Sequence, residues 1–164
     1  ASGSPEAFAR AEPFLEAVAA KVYRLGDEPG QGSRVKMVNQ LLAGVHIAAA
    51  AEAMALGMRA GIDPTLLYEV ISNSAGSSWM FQNRVPHILD GDYSPRSAVD
   101  IFVKDLGIVL DTGRALDFDL PITATAHRLF STASDQGLGR EDDSAVVKVY
   151  AAGSGLTLPA GETG

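Results

Sequence analysis

Residues 33–60, SRVKMVNQLLAGVHIAAAAEAMALGMRA, decide the fold of this chain. They contain no proline and are rich in alanine, leucine and methionine, which are strong helix formers. A single helix of this length would extend about 40 Å, which is longer than most helices in globular proteins. Its centre, residues 48–55, is small and apolar on nearly every side, as in a helix that other helices surround. The stretch therefore predicts the central helix of a bundle.

The chain after residue 60 carries the signals of several shorter helices. Asp63 and Pro64 predict a helix start, because aspartate caps helices and proline suits their first position. We expect Trp79, Met80 and Phe81 to pack in a short segment that precedes Pro86. Further helices are predicted from about 98 to 116, from 121 to about 135, and after a cap at Asp142 or Asp143. The main body is therefore predicted to be all-α.

Residues 1–32 have a different pattern. Ser4 and Pro5 predict the start of a helix that runs as far as Lys21, and residues 21–25 are β-prone. One helix and one strand cannot bury their own apolar faces, so we expect a short α/β remnant of a larger sheet. An N-terminal hairpin packed on the main domain is the alternative.

Length and these patterns give a domain organisation. The 164 residues are close to the size of one domain. We expect residues 1–32 to be the end of another domain, 33–151 to form an all-helical domain, and the glycine-rich residues 152–164 to be a disordered tail.

Composition narrows the classes of function. Thirteen basic residues against 20 acidic ones give a net charge of −7, a poor match for nucleic acid or an anionic membrane. There is no cysteine, and His46, His87 and His127 lie too far apart for a metal-ligand pair at helical spacing. No apolar run approaches the roughly 20 residues that span a bilayer, and the start lacks a secretory signal. We expect a cytoplasmic protein with no metal and no membrane segment.

The first candidate site lies near the start of the long helix. Asn39 and Gln40 follow Lys36 by three and four residues, so the three side chains share one side of a helix. Gly44, one turn further, would leave room for a small ligand. The alternative is that Lys36 is an ordinary solvated lysine.

The second candidate is Lys104 with Asp105, where charges interrupt the apolar run VDIFVKDLGIVL, residues 99–110. A lysine with so many apolar neighbours can point into a cleft. An equally good alternative is a helical ion pair between Asp100 and Lys104, which are four residues apart.

These residues carry a resemblance to the β-hydroxyacid dehydrogenases, which include 3-hydroxyisobutyrate dehydrogenase, tartronate semialdehyde reductase and, more distantly, 6-phosphogluconate dehydrogenase. The family motif G-x-x-x-K-x-x-N-N is matched by Gly32, Lys36 and Asn39, while Gln40 replaces the second asparagine. The later motif K-D-L-G stands at residues 104–107. The resemblance covers about residues 1–150, and its two motifs have the family separation.

The resemblance implies the helical C-terminal domain of the 6-phosphogluconate dehydrogenase type, preceded by the end of an NAD-binding Rossmann domain. It implies NAD as the cofactor, with NADP as the alternative, and a four-carbon polyhydroxy acid as substrate. Lys36 would be catalytic and take the hydroxyl proton as hydride leaves carbon. Asn39 and Gln40 would bind substrate, and Lys104 would bind the cofactor.

The same resemblance leaves other functions open. The substrate of a related enzyme, 3-hydroxyisobutyrate or tartronate semialdehyde, is one alternative, and a non-catalytic helical dimerisation module is another. The phosphate-binding glycines of the family would precede Ala1, so we expect the chain alone to be inactive. We also expect a homodimer or tetramer formed through the long helix, because its alanine-rich surface suits close packing.

Overall fold

The fold is a set of α-helices joined by short loops, in a computed structural model that describes residues 1–160. A π-helical turn, Ser134–Leu138, follows the sixth helix, and a 3-10 turn, Asp143–Val146, precedes the last. No strand occurs among the described residues. The helices are α1 (Pro5–Val18), α2 (Gln31–Arg59), α3 (Pro64–Ser72), α4 (Trp79–Asp90), α5 (Val99–Ala115), α6 (Pro121–Ala133) and α7 (Val147–Ser154).

The chain packs into two compact units, residues 1–39 and the chain from Gln40 onward. The division falls inside α2, whose 29 residues form one continuous helix, as the sequence predicted. The domain boundary that we expect after residue 32 stays a prediction.

In the first unit, α1 begins where the sequence placed it. The hydroxyl of Ser4 accepts a hydrogen bond from the Ala7 N–H, and Pro5 occupies the first turn, where it has no N–H to leave unpaired. The buried Phe8 ring is covered by the Arg24 guanidinium, whose central carbon lies 4.8 Å from the ring centroid.

The strand that we predicted over residues 21–25 is wrong. The segment is extended, but only residues 1–3 pair with it, through the Leu25 N–H to the Ala1 carbonyl (2.9 Å) and the Gly3 N–H to the Gly26 carbonyl (3.1 Å). A strand requires a neighbouring strand to complete its ladder, and the described residues supply none.

In the second unit, α2, α5 and α6 enclose the main core. The Phe102 and Phe130 rings stack with centroids 5.2 Å apart and join α5 to α6. The core cluster includes Ile47, Ala48, Ala51, Ala55, Ile88, Val99, Phe102, Leu106, Ala126, Phe130, Ala133, Val146 and Val147.

A smaller cluster joins α2 to α3 and α4, and two details there differ from the sequence prediction. Trp79 does not pack in this chain, since it is 70% exposed, whereas Phe81 is buried. Helix α4 also continues past Pro86. Proline removes the hydrogen bond to the carbonyl four residues earlier, that of Gln82, and the Tyr68 hydroxyl donates to this carbonyl instead at 3.1 Å.

A buried polar network fixes the 3-10 turn. Asp142 is its cap and accepts hydrogen bonds from the Ser144 hydroxyl (2.7 Å), the Ser144 N–H (3.1 Å) and the Arg96 N–H (3.1 Å). Burial raises the pKa of Asp142, but these hydrogen bonds outweigh it and hold the pKa below its ordinary value. Asp143 differs, because burial outweighs the hydrogen bond and charge of Arg84 and raises its pKa.

The expectation that no segment is apolar enough to span a bilayer needs correction. Helix α2 contains an 18-residue window with a mean hydropathy of 1.6, so its length and composition match those of a membrane span. The core helix of a globular protein meets the same criteria. Ile47, Ala51 and Met54 of α2 are buried among the other helices of their unit, as in such a core helix.

The disordered tail that we expect over residues 152–164 stays a prediction. Helix α7 ends at Ser154, and Leu156 and Leu158 are half-buried against the main core. Residues 161–164 of the predicted tail lie outside the described residues.

Candidate functional site

The predicted catalytic residues lie on the N-terminal part of α2. Lys36 and Asn39 are exposed in the chain, and Gln40 is half-buried. Lys36 and Asn39 belong to the first unit, and Gln40 is the first residue of the second. The catalytic role of Lys36 and the substrate-binding role of Asn39 stay predictions.

The structure brings Gln40 together with the K-D-L-G motif of α5. The Gln40 Nε2 donates a hydrogen bond to the Asp105 Oδ2 at 2.7 Å. The Lys104 Nζ lies 3.1 Å from the other carboxylate oxygen, Oδ1. Asp105 therefore links the predicted substrate-binding amide to the predicted cofactor-binding lysine.

Asp105 and its partner Lys104 differ in their contact with solvent. Its own side chain is 16% exposed, whereas the Lys104 side chain is 65% exposed. A carboxylate with so little exposure to water needs hydrogen-bond donors from the protein, and Gln40 and Lys104 supply them. The exposed ammonium of Lys104 stays accessible to an anionic ligand.

The alternative ion pair between Asp100 and Lys104 is wrong. Asp100 lies at the start of α5, where its Oδ1 accepts a hydrogen bond from the Ser134 hydroxyl at 2.6 Å. Lys104 pairs with Asp105 instead.

Gly44 does not make room for a ligand, contrary to expectation. A Cβ atom on Gly44 would lie 2.9 Å from the Leu106 Cδ2 and 2.9 Å from the Phe102 Cδ1. Because glycine lacks that atom, α2 and α5 approach closely at this position. Gln40 lies one helical turn before Gly44, and Asp105 directly precedes Leu106, so this contact sets the register that joins them.

Sequence reasoning selected Asp105 together with Lys104 but assigned it no role, and it missed His127. The signal was the charge that Asp105 places on the stripe of α5 that buries Phe102, Leu106 and Val109. His127 of α6 donates from its Nε2 to the Val103 carbonyl at 3.0 Å, beside Lys104. Nothing in the sequence indicated that bond.

The residues of this chain fit part of a dinucleotide cofactor. Such cofactors are anionic, and the exposed Lys104 ammonium suits a phosphate or carboxylate oxygen. The glycine-rich G-x-G-x-x-G motif, which binds the pyrophosphate, does not occur in these 164 residues. The chain thus offers a cation for the cofactor but not its phosphate-binding loop.

Comparison with known proteins identifies the family. Residues 30–150 match the family model described as NAD-binding of NADP-dependent 3-hydroxyisobutyrate dehydrogenase. The matched range contains both motifs and α2 to α6.

Several curated relatives are similar over nearly the whole chain. The L-threonate dehydrogenase of Escherichia coli O6:H1 is 63% identical over 159 residues, which are 97% of this chain and 52% of the relative. The L-threonate dehydrogenase of Cupriavidus necator is 65% identical over 96% of this chain and 52% of its own length. The chain therefore spans about half the length of the curated relatives it matches.

Solved structures agree with this assignment. A 3-hydroxyisobutyrate dehydrogenase from Salmonella typhimurium is 62% identical and superposes with a TM-score of 0.88, covering 90% of this chain and 52% of that one. The 3-hydroxyisobutyrate dehydrogenase of Mycobacterium tuberculosis, at 27% identity, gives a TM-score of 0.80 over 90% of this chain and 53% of that one. The all-helical fold and the resemblance drawn from the two motifs are thereby confirmed. The chain belongs to the family whose model is described as NAD-binding of NADP-dependent 3-hydroxyisobutyrate dehydrogenase.

Proposed function

We propose that the protein to which this chain belongs is an oxidoreductase that oxidises L-threonate to its 2-oxo acid. The observation that carries the proposal is sequence identity of 57% to 65% to L-threonate dehydrogenases over almost the whole chain. The Gln40–Asp105–Lys104 arrangement supports it, because it presents an amide and a cation to a small anionic substrate or cofactor.

The proposed mechanism assigns one task to each residue. Bound NAD, or NADP in its place, supplies the hydride acceptor. Lys36, in its neutral form, takes the substrate hydroxyl proton at Nζ as hydride leaves the same carbon, and it returns that proton in the reverse reaction. Asn39 and Gln40 orient substrate oxygens by hydrogen bonds, and Lys104 holds an anionic group of the cofactor.

Substitution of Lys36 tests this mechanism in the full-length protein. We expect Lys36→Ala to lower kcat for L-threonate by about 10²- to 10⁴-fold, because general acid–base catalysis contributes that much. The measurement is NADH formation at saturating substrate. Lys21→Ala, which removes another exposed lysine, is the matched control and should leave kcat unchanged.

A panel of hydroxyacids decides between the related activities. L-threonate should be oxidised with a higher kcat/KM than 3-hydroxyisobutyrate, and tartronate semialdehyde should be reduced more slowly than the 2-oxo acid of L-threonate. A reversed preference would assign the related substrate instead. Absence of turnover with every member, or full activity of Lys36→Ala, would contradict the proposed mechanism.

We also propose that the protein forms a homodimer through the exposed face of α2. If the chain were only a dimerisation module, forming this dimer would be its whole function. Two features support it: exposed Leu42 and Ile122, and a groove of about 380 Å³ between α2 and α6 lined by Val45, Ala49 and other mainly apolar residues. In sedimentation velocity, Ile122→Asp should give monomers, whereas Leu116→Asp, an exposed leucine outside this groove, should not. A monomeric wild-type protein at micromolar concentration would refute the dimer.

The cytoplasm is the proposed location. The absence of cysteine and the metabolic dehydrogenases among the relatives support it. Activity recovered in the membrane or periplasmic fraction of lysed cells would contradict it.

A further inference from the structure

We propose that a cavity in the second unit binds a small monocarboxylate with an apolar body, such as an arylacetate. The cavity has a volume of about 560 Å³ and lies between α2 and the segment that joins α3 to α4. Cavities of this size commonly hold a small organic molecule. Such binding is independent of the proposed function, because it needs neither the hydroxyacid substrate nor the dinucleotide cofactor.

Part of the cavity lining is apolar. Ala49 and Ala53 line it from α2, and the short side chains of alanine leave the space open. Ile71 and Phe81 line it from α3 and α4. The Phe81 ring is buried and stacks on the Tyr68 ring with the centroids 5.8 Å apart, so its position is fixed. These side chains suit the apolar body of a ligand, which gains free energy by leaving water.

The segment between α3 and α4 supplies two hydroxyl groups to the cavity. The Ser78 Oγ accepts a hydrogen bond from the Phe81 N–H at 3.0 Å. The Ser77 Oγ accepts one from the Gln82 Nε2, also at 3.0 Å. Gln82 donates as well to the Ser72 carbonyl at 3.1 Å, which ties this segment to the end of α3. Neither serine hydroxyl donates to another of the described residues, so each can donate its hydrogen to a ligand.

His46 of α2 adds a third hydrogen-bond donor. Its side chain is half-buried at the cavity, and in the described part of the chain its ring nitrogens make no hydrogen bond. An imidazole carries one N–H when it is neutral and two when it is charged. His46, Ser77 and Ser78 can therefore all donate to one bound group.

The charge of the lining selects the kind of group. None of the described residues that line the cavity is an aspartate or a glutamate, although the whole chain has a net charge of −7. A cation would find no opposite charge there, whereas a carboxylate, which only accepts hydrogen bonds, matches three donors. Hydrogen bonds to an ionised acceptor are about twice as strong as those to a neutral one. The lining therefore favours a carboxylate over an uncharged group of the same shape.

The test titrates the 164-residue chain with phenylacetate and, separately, with phenylacetamide at neutral pH and constant ionic strength. The two probes have similar shapes, but only phenylacetate is charged. In ¹H–¹⁵N spectra we expect phenylacetate to shift the backbone signals of His46, Ser77 and Ser78 to saturation, and phenylacetamide to bind at least about tenfold more weakly. Acetate, which has the carboxylate without the aryl body, should also bind at least about tenfold more weakly.

Two variants and a control locate the binding site. His46→Leu removes one donor, and Ala53→Leu fills the cavity from an exposed position of α2, where leucine is nearly as good a helix former as alanine. Each variant should raise the Kd for phenylacetate by about tenfold. Ala152→Leu adds the same side chain at an exposed position of α7, outside the cavity, and should leave the Kd unchanged.

The wild-type titrations can overturn the proposal even if a variant fails to fold. Absence of a saturable shift, or shifts confined to other parts of the chain, would exclude a site in this cavity. Equal binding of phenylacetate and phenylacetamide would show that the cavity does not select an anion, which contradicts the proposal. An unchanged Kd in a folded Ala53→Leu variant would place the ligand elsewhere and contradict it as well.

Discussion

Asp105 and Asp143 are two carboxylates in the same unit, and each is paired with a cation in a different environment. Each accepts from a cation and each joins two parts of the fold. The Asp143 side chain is fully buried, and its partner Arg84 is 12% exposed. Arg84 donates two hydrogen bonds to this carboxylate, from Nε to Oδ1 at 2.6 Å and from Nη2 to Oδ2 at 3.3 Å. Asp105 instead contacts the half-buried amide of Gln40 and the solvent-exposed ammonium of Lys104.

The difference separates a carboxylate that stabilises the fold from one that lies in the candidate site. Burial raises the pKa of Asp143 despite the charge of Arg84, so ionising this carboxyl is harder in the folded protein than in water. Such a pair holds α4 to the 3-10 turn and depends on both members. At Asp105 the cation remains open to solvent, so the same chemistry is available to a ligand. The comparison predicts a large loss of stability when the Asp143 ion pair is broken and a small loss when the charge of Asp105 is removed.

The largest effect is expected for Arg84→Ala. Removing the arginine leaves the Asp143 carboxylate buried without its cation, and the free energy of unfolding should fall by about 3–5 kcal/mol. Urea denaturation followed by circular dichroism measures this loss.

Arg114→Ala is the matched control for that variant. Arg114 forms an ion pair with Asp111 on the surface of α5, and its removal should change the unfolding free energy by at most about 1 kcal/mol. Replacing both buried partners, as Arg84→Met with Asp143→Leu, should recover much of the loss because no buried charge remains. Equal losses at Arg84 and Arg114 would contradict the comparison.

Local signals in the sequence were enough to predict the helices. Caps at Ser4 and Asp63, together with a proline-free apolar stretch from 33 to 60, identified helix starts and the central helix. Pro86 was misleading, because only the folded structure brings the Tyr68 hydroxyl to the carbonyl that proline leaves unpaired.

The candidate site was predictable only where residues share one helix. Lys36, Asn39 and Gln40 lie on α2, and their spacing is visible in the sequence. The bond between Gln40 and Asp105 joins residues that are 65 positions apart, so no local pattern could indicate it. The same holds for Gly44, whose role depends on the side chains of α5 that pack over it.

Gly44→Ala tests the helix contact that sets the register of Gln40 and Asp105. The added methyl would meet Leu106 and Phe102 at 2.9 Å, so these side chains or α2 must shift, and the unfolding free energy should fall by about 1–3 kcal/mol. Gly153→Ala in α7 is the control, since nothing lies within 4 Å of its added Cβ, and it should stabilise by roughly 0.5–1 kcal/mol. A stabilising Gly44→Ala would show that α2 and α5 are not in close contact.

Asp142→Asn tests the buried network through pH. The folded-state pKa of Asp142 is lowered, so its charge contributes stability above the ordinary aspartate pKa of about 3.9, and this contribution is lost as pH falls through the lower folded value. The variant should therefore lose about 1–2 kcal/mol near pH 7 and progressively less toward pH 3.

The neighbouring Asp143 makes the same experiment sharper. Its raised pKa has the opposite sign, so it contributes stability at low pH that is lost as pH rises through its folded pKa. With Asp142 neutralised, the stability of the variant should decline from pH 3 toward pH 7 more steeply than the stability of the wild type. Melting temperatures across this range measure it, and parallel profiles for variant and wild type would refute the assigned directions.

The smallest effect on stability is expected for Asp105→Asn, and it is the prediction that joins the comparison to function. Asparagine keeps an oxygen that can accept from Gln40, and the partner that loses its charge pair, Lys104, is already solvated. The unfolding free energy should therefore change by less than about 1 kcal/mol, as for exposed ion pairs. Urea denaturation beside Arg84→Ala gives the contrast directly. A loss as large as that of Arg84→Ala would make Asp105 a second buried anchor of the fold, whereas a small loss would group it with exposed ion pairs such as that of Arg114 and Asp111.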